Sequence, residues 1–353
     1  MPSPPARSRL LFPGFVALLL NSAYLWAFAD PTLWYFAQVA LHPLLGLALS
    51  VGAARLLLAR RWSPGRLGVA ALAVSGVGLG LGVGVLTLGA TTPYRLLVVA
   101  HVAISTVGAV LLLVALWLAA PRFGSRRLAW MARASMATAT LAALAAAIVA
   151  SGSDARWRAA HRIQNPTRVA TSMEGEGAGP TSPFFPSSAN TNVNGIIPAT
   201  FFMTSETCAR CHRDIYDQWN SSAHHFSSFN NQWYRKSIEY MQDVVGTQPS
   251  KWCAGCHDHA VFFNGRFDRP IKEQIDTPEA QAGLGCTSCH SITRVHSTMG
   301  QGDFEIEYPP LHDLAASEHP VLRRVHDALL YLAPEPHRNT FIKPFHREQT
   351  AEF

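Results

Sequence analysis

Three pentads of the form Cys-x-x-Cys-His carry the chemistry of this chain: CARCH at Cys208–His212, CAGCH at Cys253–His257 and CTSCH at Cys286–His290. Together they use all six cysteines of the 353 residues. Paired thiols alone could form a zinc half-site or a thioredoxin-like redox pair. Zinc takes two such pairs, which orphans the third, and a redox pair has no need of a histidine directly after it each time. The pentad is the signature of covalent c-type haem attachment. Two thiols three residues apart on a helical turn can form thioethers with the two vinyl groups of one porphyrin, and the next residue projects its imidazole onto the iron. The sequence therefore predicts three covalent haems on Cys208, Cys211, Cys253, Cys256, Cys286 and Cys289, with His212, His257 and His290 as proximal ligands.

Sixth ligands must come from elsewhere, and His224, His225, His259, His296, His312, His319, His326, His337 and His346 are available. A surplus over the proximal set suits bis-histidine iron used for electron transfer. His224 or His225 follows the first haem turn at a helix end, and His296 lies six residues past His290. His259, two residues after His257, points away from its own haem and could serve only a neighbouring one.

The segment IYDQWNSSAHH after CARCH resembles the Ile-Tyr-x-x-Trp-x-x-Ser-x-His pattern of multihaem cytochromes of the cytochrome c-554 type, and GLGCTSCHSITRVH is similar to a later haem segment of that group. The resemblance runs from about Ser205 to the C-terminus and couples haem attachment to Trp219, Ser222 and His224. It implies a mostly helical domain with haems packed in close pairs. It also implies a distal-ligand role for His224, with His296 and His337 as further candidates. The ending HRNTFIKPFHREQTAEF resembles a segment that in such proteins continues into another haem pentad. The expectation is a truncated chain, or a haem array completed by another cytochrome subunit.

What precedes the pentads must deliver them to an oxidising compartment, where c-type haem is attached. The mean composition, 48% hydrophobic and 15% charged, hides a sharp division. Five apolar stretches, Leu10 to Ala29, Leu33 to Ala59, Leu67 to Ala90, Tyr94 to Ala120 and Leu128 to Ala150, each reach the roughly 20 residues a bilayer-crossing helix needs. Arg7 and Arg9 open the first, but Asn21, Tyr24 and Trp26 followed by Asp30-Pro31 give no small-residue cleavage site, so it reads as an uncleaved signal anchor. Arg7, Arg9, Arg55, Arg60, Arg61, Arg66, Arg122, Arg126 and Arg127 fall on one set of connections and only Arg95 on the other. The positive-inside rule then puts the N-terminus in the cytoplasm and everything after Ala150 outside it. The formal charge of +6 is mostly this topology signal, and no basic stripe with interleaved aromatics points to nucleic acid.

Two histidines, His42 and His101, lie inside the apolar spans, where ionisable groups are expensive and functional by default. Counted from the exported side at about 1.5 Å per residue, both sit roughly 12 to 15 Å deep. Level imidazoles on separate helices could clamp a b-type haem, with glycines of the third span leaving room. The alternatives are a quinone pocket or a helix contact, because His42 precedes Pro43 and could satisfy freed carbonyls. In SGVGLGLGVGV, the glycines Gly76, Gly80 and Gly84 share one helix face, the small-xxx-small pattern of close packing.

Residues 151–200 are rich in Gly, Pro, Ser, Thr and Asn and read as a linker or irregular arm. Residues 201–353 follow as the haem domain. Helical candidates there are Glu206 to Asn220, Gln232 to Val244 and Val321 to Leu332, and the strand candidates are Val261 to Phe263 and Phe304 to Tyr308. So little continuous apolar sequence predicts a thin core that relies on its cofactors. The expected class is all-α, a five-helix transmembrane domain followed by a mostly helical multihaem cytochrome domain. The expected protein is a multi-pass member of the bacterial inner membrane with a periplasmic haem domain. It would relay electrons between the quinone pool and periplasmic partners. An enzyme acting on nitrite or hydroxylamine at an open haem is the alternative, disfavoured because no Cys-x-x-Cys-Lys pentad is present. A haem-bearing anchor or sensor is the third reading.

Overall fold

A computed structural model describes residues 8–59, 64–120, 125–299, 301–309, 311–343 and 346. The chain is mostly helical with few strands and divides into two units, Met1–Ser153 with Arg324–His337, and Asp154–Arg323 with Arg338–Phe353.

The N-terminal helices are α1 (Ser8–Ala27), α2 (Leu33–Leu58), α3 (Arg66–Leu88), α4 (Arg95–Ala119) and α5 (Arg126–Ala160). Their residues favour helix throughout, so turn chemistry sets the ends. The Thr32 hydroxyl accepts the Tyr35 N–H at 3.2 Å to open α2, and Gly89, at φ 85°, closes α3. Among the described residues, four helices are long and apolar enough to cross a membrane: Leu33–Leu58, Arg66–Leu88, Thr92–Ala119 and Ala129–Ser153. The first candidate span is shorter, its apolar helix covering Leu11–Ala27. Trp34, Leu44, Leu96, Leu118 and Ile148 point outward, a surface suited to lipid rather than water. Of the arginines behind the expected orientation, Arg7, Arg60, Arg61 and Arg122 lie outside the described residues.

Two details differ from expectation. Helix α5 runs ten residues past Ala150 into the stretch read as linker, because SGSDARWRAA holds Ala and Arg and meets no proline before Pro166. Its 35 residues span about 52 Å, against a bilayer core of about 30 Å. Second, the expected glycine face is used only at Gly84, where a Cβ would stand 3.3 Å from Leu97, while Gly76 and Gly80 meet open space. A Cβ on Gly78 would stand 2.5 Å from Ser105 Oγ, one on Gly82 2.8 Å from the His101 ring, and one on Gly108 2.7 Å from Ser75 Oγ. Glycine recurs at every second position from Gly76 to Gly84, which leaves two faces open. His101, Ser105 and Gly108 on α4 select between them.

The second unit holds α6 (Ser205–Ala209), α7 (Arg213–Asn220), α8 (Gln232–Val245), α9 (Thr247–His257), α10 (His259–Phe262), α11 (Cys286–His290) and α12 (His312–Ala316). A three-stranded sheet, β1 (Asn190–Thr191), β2 (Ile292–Val295) and β3 (Phe304–Ile306), has the order β1-β3-β2, with β1 parallel and β2 antiparallel to β3. Helices α13 (Pro320–Leu332) and α14 (Glu335–Phe341) follow.

The helix expected over Glu206 to Asn220 breaks at His212, whose φ of −118° and ψ of 50° turn the chain between α6 and α7. The strand expected at Val261 to Phe263 is the helical turn α10 instead. The Asp258 carbonyl accepts the N–H groups of Val261 at 2.9 Å and Phe262 at 2.7 Å, winding the chain on from α9. Nor is the core thin. Phe184, Phe201, Phe202, Phe262, Phe263 and Phe267 are fully buried together with Ile271, Ile292 and Ile306. Residues 164–199 share in it, contributing Phe184, Ala189, Ile197 and strand β1, because scattered apolar side chains need no periodicity to fill a core that other elements frame.

Candidate functional site

Each pentad occupies one helical turn. In the first, the N–H groups of Cys211 and His212 return to the Cys208 carbonyl at 3.1 and 2.9 Å. The second forms the last turn of α9, and the third is the whole of α11. On such a turn residues i, i+3 and i+4 share a side, so two thiols and an imidazole face one ligand.

The first and third pentads are neighbours. The Cys286 N–H donates to Ser205 Oγ at 3.2 Å, and a Cβ on Gly285 would stand 2.6 Å from the Phe202 carbonyl oxygen, so only glycine lets α11 approach. The Cys208 thiol hydrogen-bonds the Cys286 sulfur, which pushes Cys286 below the ordinary thiol range. On the other side, the Trp219 indole N–H donates to the Leu284 carbonyl at 2.7 Å, and the Leu284 N–H donates to the His224 carbonyl at 2.9 Å. Trp219 and His224 thus tie the segment after the first pentad to the entry of the third, and Ser222 closes the intervening turn through Oγ to the Trp219 carbonyl at 2.8 Å.

Two proximal imidazoles are held from behind. His257 Nδ1 donates to the Ser227 carbonyl at 2.7 Å, and His290 Nδ1 donates to the Phe341 carbonyl at 2.8 Å. A carbonyl can only accept, so the proton sits on Nδ1 and the lone pair is left on Nε2, as a metal ligand requires. The residues therefore fit covalently held haem. Tyr234 stacks on His257 with centroids 4.4 Å apart and planes 13° apart, and its position follows from Asn231, which caps the start of α8. The Tyr234 and Ser228 hydroxyls both donate to the carboxyl of Asp258, which burial pushes up to about 7.

The other histidines sort by environment. His259 is a core residue: Nε2 donates to the Gly255 carbonyl at 2.8 Å, the ring packs against Phe202 and Phe263, and burial pushes it down to about 4. His224 is exposed; His225 stacks on Trp219 at 4.4 Å and donates from Nδ1 to the Asn220 carbonyl. His296 is half-buried beside β2, its carbonyl accepting the Gln164 N–H. His337, on α14, groups with the N-terminal helices. His346 stacks on His290 at 5.6 Å but spends Nε2 on the Cys289 carbonyl and Nδ1 on the Lys343 N–H. His42 and His101 stand with ring centroids 6.2 Å apart.

Sequence reasoning did not single out Ser205, Ser227, Ser228, Tyr234 or Asp258. Only Asp258 carried a signal, a lone carboxylate between a pentad and the apolar run AVFF.

The family described as cytochrome c554 and c-prime matches residues 207–291, a stretch that contains all three pentads. The match supports a c-type cytochrome domain in this part of the chain, and that family implies covalently bound haem c. Comparisons with curated proteins and with solved structures find no match.

Proposed function

We propose that the protein is a membrane-anchored multihaem cytochrome carrying three haems c. In this reading it passes electrons between the quinone pool of a bacterial inner membrane and periplasmic redox partners, other cytochrome subunits among them. The observation that carries it is the gathering of three attachment turns in one unit, the first and third in contact, with His257 and His290 both pinned through Nδ1. Haem supplies one-electron exchange when bound. The protein's part is to fix the imidazoles and to keep neighbouring sites close enough for electrons to pass. His224 and His296 are the proposed sixth ligands near the attachment turns.

Mass spectrometry of the denatured, purified chain tests the count, with an increment of three haems expected. An increment of one or none, or zinc in their place, overturns it. Low-spin spectra in both oxidation states are expected of a relay. A high-spin iron that turns over nitrite or hydroxylamine overturns the relay in favour of an enzyme.

A further inference from the structure

The N-terminal helices form two hairpins. Helix α1 packs against α2, and α3 packs along α4 through Gly78, Gly82 and Gly108, while α2 touches α3 only sparsely. His42 on α2 and His101 on α4 bring one ring from each hairpin to within 6.2 Å, centroid to centroid.

Both rings are oriented by bonds that leave the same nitrogen available. Asn21 Nδ2 donates to Gln38 Oε1 at 3.0 Å and to the Gln38 carbonyl at 3.1 Å, which fixes the amide, so Asn21 Oδ1 is the acceptor for His42 Nδ1–H at 2.9 Å. Asn21 is itself buried, at 5% exposed. His101 Nδ1 donates to the Gly78 carbonyl at 2.9 Å. Each ring thus spends Nδ1–H on an oxygen acceptor, and in the neutral tautomer this sets, the lone pair lies on Nε2. Two polar side chains, Asn21 and Gln38, are thereby committed within the apolar spans to setting the His42 ring, an expensive arrangement for a mere helix contact.

With the rings this close, two Nε2 lone pairs cannot bond each other but could share an electrophile between them. With metal–nitrogen bonds of about 2 Å to either side of one ion and about 1 Å more to each ring centre, the centroids would stand about 6 Å apart, and they are 6.2 Å apart. The planes are 88° apart, which two axial ligands can adopt when each plane contains the shared axis. A bare cation fits poorly, since among the described residues no cluster of three or more His, Cys, Asp or Glu side chains forms a metal site, and zinc takes four ligands. A porphyrin brings four nitrogens of its own and an apolar body suited to apolar helices.

The geometry points to a non-covalent haem held between His42 and His101, distinct from the three attached haems. The site rests on the membrane reading of these helices, and covalent haem counted in the same sample keeps the two failures apart.

Acidified acetone extracts non-covalent haem and leaves thioether-bound haem on the chain. From the full-length protein purified in detergent, about one extractable haem per chain is expected. His42→Ala and His101→Ala should each abolish it while leaving the covalent count unchanged. His42→Met, which keeps a ligand, should retain it with an altered low-spin spectrum, and this variant decides the matter if the alanine variants fail to accumulate. No extractable haem in the parent protein, or extractable haem indifferent to both histidines, overturns the proposal. So does binding of a quinol analogue that depends on both histidines in a protein without extractable haem.

Discussion

The pentads were legible because their chemistry is local: five consecutive residues hold both thiols and the imidazole. The groups that orient the imidazoles are not local. The carbonyl behind His257 belongs to Ser227, thirty positions earlier, and the one behind His290 to Phe341, fifty-one positions later. A backbone carbonyl has no residue type, so no sequence signal could have named it. The same holds for Tyr234, whose phenol reaches Asp258 only because Asn231 starts α8 where it does. Tyr234→Phe removes one of two donors from a buried carboxyl, so a stability loss of about 1–3 kcal/mol is expected in thermal unfolding. Tyr240→Phe, at a site 72% exposed, is the control and should leave the midpoint unchanged.

Among elements, the apolar helices and the amphipathic α8 and α13 are legible in the sequence, while the break at His212 and the state of short apolar runs are not. Val261 to Phe263 satisfies a strand pattern and a buried helical turn equally, and the Asp258 carbonyl decided it. The third pentad shows how closely elements approach. Gly283 has φ 63°, and a Cβ there would stand 2.0 Å from the His225 carbonyl oxygen. Gly283→Ala should therefore force the entry to α11 away from the segment after α7. The expected result is a fall in the thermal midpoint and a share of chains lacking the third haem, read as a two-haem mass. Gly195→Ala, whose Cβ would come no nearer than 3.8 Å to its neighbours, should do neither.

At the scale of the molecule, orientation becomes a question of parity. The Ala90 N–H donates to the Tyr331 carbonyl at 2.8 Å, and a Cβ on Gly89 would stand 2.4 Å from the Tyr331 ring. Tyr331 follows the pentads with no candidate span between them among the described residues. The turn between α3 and α4 is therefore expected on the same side as the pentads, the side on which the arginine count also expects it. Alkaline phosphatase fused after Ala90 or after Ala160 should be active, and fused after Leu58 or after Ala120 inactive. The reverse pattern would put the pentads in the cytoplasm and remove the route to haem attachment.

That one hydrogen bond also orders events in time. Ala90 and Tyr331 are 241 residues apart (331 − 90). At about 5–20 residues per second, Ala90 is made some ~12 to ~48 s before the carbonyl that accepts its N–H. All three pentads are synthesised within that interval. The segment that closes the α3–α4 turn is thus made only after all six cysteines, so a chain halted before Tyr331 lacks this clasp however well its N-terminal helices have formed.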